Sequence, residues 1–595
     1  MILLRLCEVI MKSKKVFHME TVFLWFLIGI YAPYELYISN VNEFWFSLKD
    51  FLGGMILISL IGILIFEIII HILPKGISEY LLFFVFYLGF ITWVQGTFLN
   101  LDIGIMLSSI VQFKRYWVHF LVDAIVWSIC FAVAFYIFLK KRELFKKISI
   151  IVSSFLFAIL FVTAIVLAVF SYKNETNKTN STFFYSTENL TTFSNNDNII
   201  LFVLDMFDRD YLNTIIADHY EVLDKFDGFT VYDNYTGGFA TTFASLSLIN
   251  NGEFYLNNSS YEEFCDSIQK NQVDVLNDNG YTIENYGCGG FPKRQLDIFS
   301  NVKYGNKVVN NKKAFYSHIY EMGAFRYAPN IFKRWLIGFN DRLNKDYVIA
   351  SDYHNYSSDN IDIYNNICNS PLKMQYENDY KVIYANGTHY SYVNDENLNR
   401  VAANDDKTIE CGIGVLKMVS AYIDKLKEAG VYDNTTIIIT ADHGYYHHDM
   451  DEFTQPILMI KEKSKHGKLT FNGAPVYQAD IPATIVSIAT GEDVNELGTS
   501  LFSINDTDER QRLYYHYDLE DYDQLTGNRR MIEYSIDTDS NKSDSYHLTG
   551  NEYTYNGNLI NHEDYCKTCQ SGNRDKDGCY WHIKTDNYPE KVLIQ

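Results

Sequence analysis

Proline is scarce in this chain, 9 of 595 residues, and no Gly-X-Y period runs through it. Collagen-like and proline-rich extended classes are therefore excluded. Basic residues are outnumbered, 50 Lys and Arg against 72 Asp and Glu, for a formal net charge of −22. That balance excludes nucleic acid as the main partner, because phosphate backbones are held by positive surfaces. Charged residues reach only 21%, whereas hydrophobic ones reach 48% and aromatic ones 16%, mostly Tyr and Phe. A chain so rich in apolar side chains can bury a core, and wholesale disorder is excluded as well. Its length suffices for roughly three to five domain-sized pieces, or fewer if one is large. No internal repeat is evident.

The apolar residues that are present are unevenly placed. Five apolar stretches precede Lys173, at about 20–39, 54–73, 80–99, 117–139 and 148–170. Each is close to the ~20 residues that cross a bilayer core as a helix. Glu67 is the one acid in the second stretch, and the fifth carries no charge. Acids within spans, here Glu67 and Asp123, point to a polar groove or an interface. Lys12, Lys14 and Lys15 before the first stretch, and Lys140, Lys141, Arg142, Lys146 and Lys147 before the fifth, fall on one side of five crossings. Basic loops stay cytoplasmic, and Lys114 with Arg115 is the minor contradiction. The expectation is a multi-pass protein of the cell membrane with everything after Phe170 extracytoplasmic. Charge agrees with two bodies: residues 1–173 carry 14 Lys/Arg and 10 Asp/Glu, the remainder 36 and 62. So acidic an exterior attracts metal cations.

Residues 174–197, NETNKTNSTFFYSTENLTTFSNND, are rich in Asn, Thr and Ser and read as a polar tether or loop. Short β-branched runs follow: Asn198-IILFVLDMF, Lys381-VIYANG, Thr435-TIIITADHG and Pro456-ILMIK. Amphipathic helical patterns lie between them, the clearest over Ile413–Ala429, with Val415, Leu416, Val419, Tyr422, Ile423 and Leu426 on one face. Alternating strands and helices predict an α/β domain over 198–505 with a mostly parallel central sheet. From about Asp506 onward, short Tyr-rich alternating runs predict a small antiparallel C-terminal subdomain, 506–595.

In such sheets the working residues sit on loops beyond the carboxyl ends of strands. Three runs end that way, at Asp205, at His389 and at Asp442-His443. Asp442 and His443 side by side, with Gly444 permitting a sharp turn, can both reach one divalent ion; a capped turn is the bland alternative. Asp205 adds carboxylate oxygen of the kind hard ions prefer. Asp208 is either a further ligand or the cap of a helix starting near Tyr211. Gly237-Gly238-Phe-Ala-Thr241-Thr242-Phe-Ala-Ser245-Leu, closed by Gly252, lets backbone approach a ligand and sets a hydroxyl at a helix start. There the dipole favours an alkoxide and an incoming anion, although an N-cap Thr is the commoner use.

Taken together these segments resemble the alkaline phosphatase/sulfatase superfamily over about residues 198–505. The resemblance rests on LDMFD, on Thr242 to Gly252, on Gly430-VYDNTTIIITADHG, on Pro456-ILMIK and on Asp480-IPATIVSIATG. Against the sulfatase pattern C-x-P-S-R-x-x-L-x-T-G, Thr242 occupies the nucleophile position and Ser245 that of the family Ser. Thr cannot be oxidised to the formylglycine that sulfatases use, and Ala244 and Leu246 replace Pro and Arg, so a sulfatase is disfavoured. Thr at that position, with five spans before the catalytic domain, is similar to lipoteichoic acid synthases and lipid A phosphoethanolamine transferases. Those families present Glu as first ligand where this chain has Asp205, and the disulfide-rich pattern of the latter is not evident.

The resemblance implies one divalent ion, Mn²⁺ or Mg²⁺ favoured and Zn²⁺ next, held by Asp205, Thr242, Asp442 and His443. It implies Thr242 as nucleophile and His389 on the substrate side, with His447 or His448 as a further contact. The implied activity moves a phosphoglycerol-like group from a membrane lipid donor to a cell-envelope glycan or lipid acceptor through a phospho-threonine. The rivals are a phosphodiesterase or phosphatase giving the group to water, and a non-catalytic envelope binding protein. Residues Phe325–Gly338 mix aromatic and basic side chains and read as either an interfacial or an ordinary surface helix.

Nine cysteines remain, seven of them beyond Lys173. Cys265 with Cys288 and Cys368 with Cys411 are candidate bridges, and Cys566, Cys569, Cys579 and His582 have the spacing of a zinc knuckle competing with disulfides.

Overall fold

The computed structural model divides the chain into two units, Met1–Thr182 with Gly305–Ser351, and Phe183–Tyr304 with Asp352–Gln595. It describes residues 17–101, 116–176, 180–390, 392–404, 407–445, 455–492, 497–522, 529–542, 545–554 and 556–561.

The first unit holds five helices long and apolar enough to cross a membrane: α1 (Met19–Ser39), α2 (Leu52–Ile72), α3 (Lys75–Phe98), α4 (Trp117–Lys140) and α5 (Arg142–Ser171). They are inside-out by the standard of a soluble bundle. Of the residues of α4 only Asp123 and Phe138 are buried, while Leu57, Leu60, Phe155 and Val162 on other spans are exposed. In water such surfaces would aggregate; in hydrocarbon they cost nothing. A π-helical turn over Leu27–Tyr31 interrupts α1 just before Pro33. Proline lacks the N–H and crowds the carbonyl four residues back, and one wider turn relieves both. The fifth span starts at Arg142, ahead of the expected position 148, because the basic residues there form helix readily. Both acids within the candidate spans are buried: Glu67 accepts from the His18 N–H at 3.0 Å and lies 2.9 Å from its Nδ1, and Asp123 accepts from the Asn330 N–H at 2.6 Å.

Segment 305–351 departs from the sequence reading, which placed it inside the 198–505 domain. Its hairpin pairs Asn306–Val309 with Tyr347–Ala350, and its helix Lys312–Tyr327 buries Phe315, Ile319 and Met322 against Tyr34, Phe46 and Phe51. Arg326 pairs with Glu35 at 3.0 Å. The stretch read as an interfacial or surface helix is broken instead, since Pro329 ends the long helix and only short turns follow over Asn330–Phe332 and Lys333–Leu336.

The second unit is the expected α/β fold. Its central sheet contains β1 (Asn198–Leu204), β2 (Phe229–Tyr232), β3 (Tyr281–Tyr286), β4 (Asn378–Ala385), β5 (Thr435–Thr440), β6 (Leu458–Lys461) and β7 (Thr470–Asn472), in the order β7-β2-β6-β5-β1-β4-β3. The neighbours of β6 run antiparallel to it and the remaining pairs are parallel. β1 is fully buried and alternates: Ile200, Phe202 and Leu204 join one core, Ile199, Leu201 and Val203 the other. A strand covered on both faces reads as a continuous apolar run for this reason. The helix Thr408–Glu428 covers one face through the six apolar positions its periodicity singled out, all buried. The strands Arg512–Tyr522, Arg529–Ile536, Tyr546–Tyr553 and Leu559–Asn561 make the expected antiparallel C-terminal sheet.

The tether expected over 174–197 is more ordered than its composition suggests. It contains strands Ser181–Tyr185 and Thr192–Ser194 and buries Leu190 and Phe193 in the core beside β1. The few apolar residues among the Asn and Thr decide its path.

Candidate active site

β1 and β5 lie side by side in parallel, with Thr440 opposite Val203, so both discharge their loops at one edge of the sheet. Asp205 leaves β1 and Asp442 leaves β5. Met206 then takes a left-handed backbone, φ 60°, unusual for a side chain of its size and a site of local strain. This aims the Met206 N–H at Asp442 Oδ1, 2.9 Å away. The His443 N–H donates to the same oxygen at 2.8 Å. A close approach by the loop after β4 closes the floor. Gly387 has φ 54°, and a Cβ there would meet the Asp205 carbonyl oxygen at 2.3 Å. Thr388 donates its N–H to that carbonyl at 2.9 Å and its hydroxyl to the Met206 carbonyl at 2.8 Å.

The third element is the helix Thr242–Asn251, entered through Gly237 and Gly238. A Cβ on Gly238 would meet Leu248 of that helix at 2.3 Å. The Gly237 N–H donates to Gln455 Oε1 at 2.9 Å and the Gly238 N–H to Gln478 Oε1 at 3.1 Å. Gln478 Nε2 in turn donates to the Asp442 carbonyl at 2.7 Å. One amide thus sets the spacing between the Thr242 loop and the Asp442 loop. The C-terminal sheet braces the same loop, with the Tyr515 N–H donating to the Gly238 carbonyl at 2.9 Å.

Four side chains converge as a result. His443 Nδ1 bonds the Gly444 carbonyl at 2.7 Å, which assigns the proton to Nδ1 and leaves the Nε2 lone pair facing inward. That Nε2 stands 3.4 Å from Thr242 Oγ1, 3.8 Å from Asp205 Oδ1 and 3.7 Å from Asp442 Oδ2. Ligand atoms of Asp205, Asp442 and His443 all lie within 4.8 Å of one another. Asp205 Oδ1 and Asp442 Oδ2 are buried and, among the described residues, have no hydrogen-bond partner. Burial first, and the nearby Asp442 second, push the Asp205 carboxyl up to about 9, against the pull of the Tyr384 hydroxyl that donates to its Oδ2 at 2.5 Å. Two orphaned oxygens and an inward lone pair are the donor set a divalent cation fits, since leaving such atoms bare is costly.

The helix start adds a second feature. Thr241 is the N-cap residue yet its side chain makes no capping bond, so the first-turn N–H groups next to Thr242 are free to receive an anion.

The other expected residues fall as follows. Asp208 is the cap and not a ligand: its Oδ1 accepts the Asp210 N–H at 2.7 Å and its Oδ2 the Tyr445 N–H at 2.9 Å. His389 is exposed on the loop after β4, stacked on Tyr390, and among the described residues no hydrogen bond joins it to the four. Asp480 accepts both Arg510 nitrogens at 2.5 and 2.6 Å and serves the fold. Cys265, Cys288, Cys368 and Cys411 are free thiols, which corrects the candidate bridges. Cys288 Sγ accepts from Asn250 Nδ2 at 3.2 Å and Cys411 Sγ faces the Asn394 Oδ1 at 3.4 Å, each buried away from its supposed mate. His447, His448 and the Cys566–His582 group lie outside the described residues. Tyr384, Gln455 and Gln478 were missed. Tyr384 sits one turn of the pleat before the end of an apolar run, and the glutamines carry no local signal.

No family model and no curated protein matches the chain. Among solved structures it is similar to the lipoteichoic acid synthase LtaP from Listeria monocytogenes, at 12% identity over 62% of this chain and 88% of that one, TM-score 0.34. It is also similar to the phosphonate monoester hydrolase SpPMH from Silicibacter pomeroyi, at 14% over 62% and 89%, TM-score 0.35. A third is the putative sulfatase yidJ from Bacteroides fragilis, at 14% over 67% and 97%, TM-score 0.36. These names fall in the grouping that the motifs resemble. Likeness this distant carries no argument about activity, which rests on the four converging side chains.

Proposed function

We propose that the chain is a membrane-anchored, metal-dependent phosphotransferase whose site faces the extracytoplasmic side. The observation that carries it is the alcohol of Thr242 held 3.4 Å from His443 Nε2, beside two buried carboxylate oxygens without partners. Asp205, Thr242, Asp442 and His443 would hold one divalent ion, and an oxygen-rich set without thiolate favours Mn²⁺ or Mg²⁺ over Zn²⁺. When bound, the ion supplies positive charge where phosphoryl oxygens gather negative charge.

The chain's own groups account for the rest. The first-turn N–H groups of the Thr242 helix orient the phosphate, and the helix dipole favours an alkoxide at its start. Thr242 Oγ1 gives up its proton and attacks phosphorus in line. The bond from phosphorus to the lipid alcohol breaks, and that alcohol leaves with a proton, so the pair exchange one proton overall. An acceptor hydroxyl of an envelope glycan or lipid then attacks phosphorus, and its proton restores Thr242. To His389, one residue beyond the Thr388 that clips the Asp205 loop, this reading gives contact with the outer phosphate oxygens or proton donation to the leaving alcohol. Anchoring by five spans keeps this site at the surface where lipid head groups are concentrated.

Mass spectrometry of the full chain after incubation with phosphatidylglycerol vesicles and Mn²⁺ tests the reading. A phosphoglycerol adduct is expected on the peptide carrying Thr242 and is lost in Thr242→Ala. An unmodified Thr242 with turnover continuing in Thr242→Ala rejects the nucleophile. Lipid head-group release without any acceptor product converts the reading to a hydrolase.

A further inference from the structure

The membrane unit contains a polar-ended apolar groove that the proposed chemistry does not use. It has a volume of about 570 Å³, within the roughly 300–1,000 Å³ of small-molecule sites. Trp25 and Gly29 of α1, Thr92 of α3, Trp127 of α4, and Ala324 and Phe332 of segment 305–351 line it. Trp25, Ile28, Gly29 and Ala32 run through the middle of α1, while Thr92 lies in the second half of α3, Trp127 in the first half of α4 and Ile58 in the first half of α2. For consecutive crossings these portions share one half of the bundle, the half at which α5 ends.

Three observations point to an occupant. Small residues are frequent in its lining, with Gly29, Ala32, Gly323, Ala324 and Ala328 among them, and at Gly323 a Cβ would meet Pro33 at 2.9 Å, so the segment packs closely on α1 beside the groove. Trp25 Nε1 is buried without a hydrogen-bond partner among the described residues, although its ring forms the wall. The polar end is built and rigid. Asp123 accepts from Asn330 and from Gln95, Gln95 accepts the Trp127 indole N–H at 2.9 Å, and Lys333 is tied to Asn100 at 2.6 Å. Just beyond, Ile331, Phe332 and Trp335 are exposed, and Arg334 stacks over Trp335 at 3.9 Å with no carboxylate partner among the described residues. Aromatic rings beside a free guanidinium are the side chains that settle at the head-group level of a bilayer.

We infer that this groove holds one acyl chain of an anionic glycerophospholipid, with its phosphate at Arg334. An apolar slot among span helices is filled by hydrocarbon, because no water is available there to fill it. An anionic head group complements Arg334, whose nearest preceding basic neighbours along the chain, Arg326 and Lys333, are already engaged. That this lipid is the phosphoryl donor rests on the proposed function; the binding site does not.

The test is photo-crosslinking of the full-length Thr242→Ala protein in phosphatidylcholine vesicles. They are doped either with phosphatidylglycerol or with phosphatidylcholine carrying a terminal acyl diazirine. Adducts should concentrate on the peptides bearing Ala324–Phe332 and Trp127, about tenfold over those bearing outward-facing Leu60 and Val162, which corresponds to about 1.4 kcal/mol of preference. The phosphatidylglycerol probe should label more strongly than the phosphatidylcholine probe, and Arg334→Ala should equalise them. Thr92→Phe and Ala324→Phe, two independent fillings of the space, should each lower groove labelling while labelling at Leu60 persists. Uniform labelling over all spans overturns the site, and so does a second copy of the chain occupying the groove in protein cross-links. Equal labelling by both unaltered probes overturns the anionic assignment. Labelling needs no turnover, so a labelled groove alongside no transfer by the unaltered protein rejects only the transfer, and transfer by the unaltered protein alongside uniform labelling rejects only the groove.

Discussion

Strand β4 has a buried acid beside each end, and the two ends are opposites. At its start, Asp379 meets Lys381 and Glu284 in a cluster with no exposed side chain. Lys381 Nζ donates to both Asp379 oxygens at 2.7 and 2.6 Å and to Glu284 at 3.0 Å. Glu284 is further satisfied by Ser300 at 2.7 Å. At its end, Tyr384 and Ala385 lie beside Asp205, which faces Asp442; among the described residues neither pairs with a lysine or arginine, and one oxygen of each has no partner. Buried charge that brings its own counter-charge is architecture. Buried carboxylates without one are a donor set that suits a cation from outside.

This contrast can be broken in order of expected effect. Replacing Lys381 with Met strands two buried carboxylates and should cost about 3–5 kcal/mol of stability. No metal should restore it, and thermal unfolding with and without Mn²⁺ would show this. Asp442→Asn should do the reverse in metal-free protein. It removes one of two crowded acids, so the unfolding temperature should hold or rise, while the added stability from saturating Mn²⁺, about 2.7 kcal/mol at a hundredfold excess over Kd, disappears together with turnover. A metal-induced shift that survives Asp442→Asn would sink the ligand assignment.

The pH dependence of metal-free protein sharpens the same point. Asp205 is held protonated by the fold, its pKa raised from 3.8 to about 9. The folded state then binds more protons than the unfolded one across that window, so stability should fall as pH climbs from 3.8 toward about 9. With the ion bound the slope should flatten, as calorimetry at pH 5, 7 and 9 would register. Smaller again, Tyr384→Phe removes the donor that orients Asp205 and should weaken metal affinity about 10–100-fold, as losses of such supporting bonds do. Smallest is Asp208→Ala, the loss of a cap worth about 1 kcal/mol, with metal stoichiometry unchanged by direct titration.

Much of this was legible along the chain because it is local or periodic. The five spans show as uninterrupted apolar runs, and β1 and β5 as β-branched runs buried on both faces. Asp205, Thr242, Asp442 and His443 could be singled out because each terminates or begins such an element. What escaped was non-local. Gln478 joins two loops from a position with no pattern of its own, and the partnering of Lys381 with Glu284 needs two strands far apart in the chain to lie in register. Segment 305–351 has the polarity of an ordinary surface stretch, and only the packing of Phe315 and Met322 on Tyr34 and Phe51 assigns it to the membrane unit. The candidate bridges failed for a related cause: a thiol count says nothing of where buried neighbours turn each sulfur.

By itself, then, the order of residues determined which segments are apolar enough to span or to form strands, and which chemistry-bearing side chains end those strands. Hydropathy and period act over a few neighbouring residues and need no fold to be read. Tertiary structure alone decided that an alcohol, an imidazole and two carboxylates from three separate loops meet within hydrogen-bonding and coordination reach, with no lysine or arginine among the described residues paired to them. Pairing β1 with β5 closes 236 residues of chain between Met206 and Asp442, a distance over which composition carries no information and only packing does.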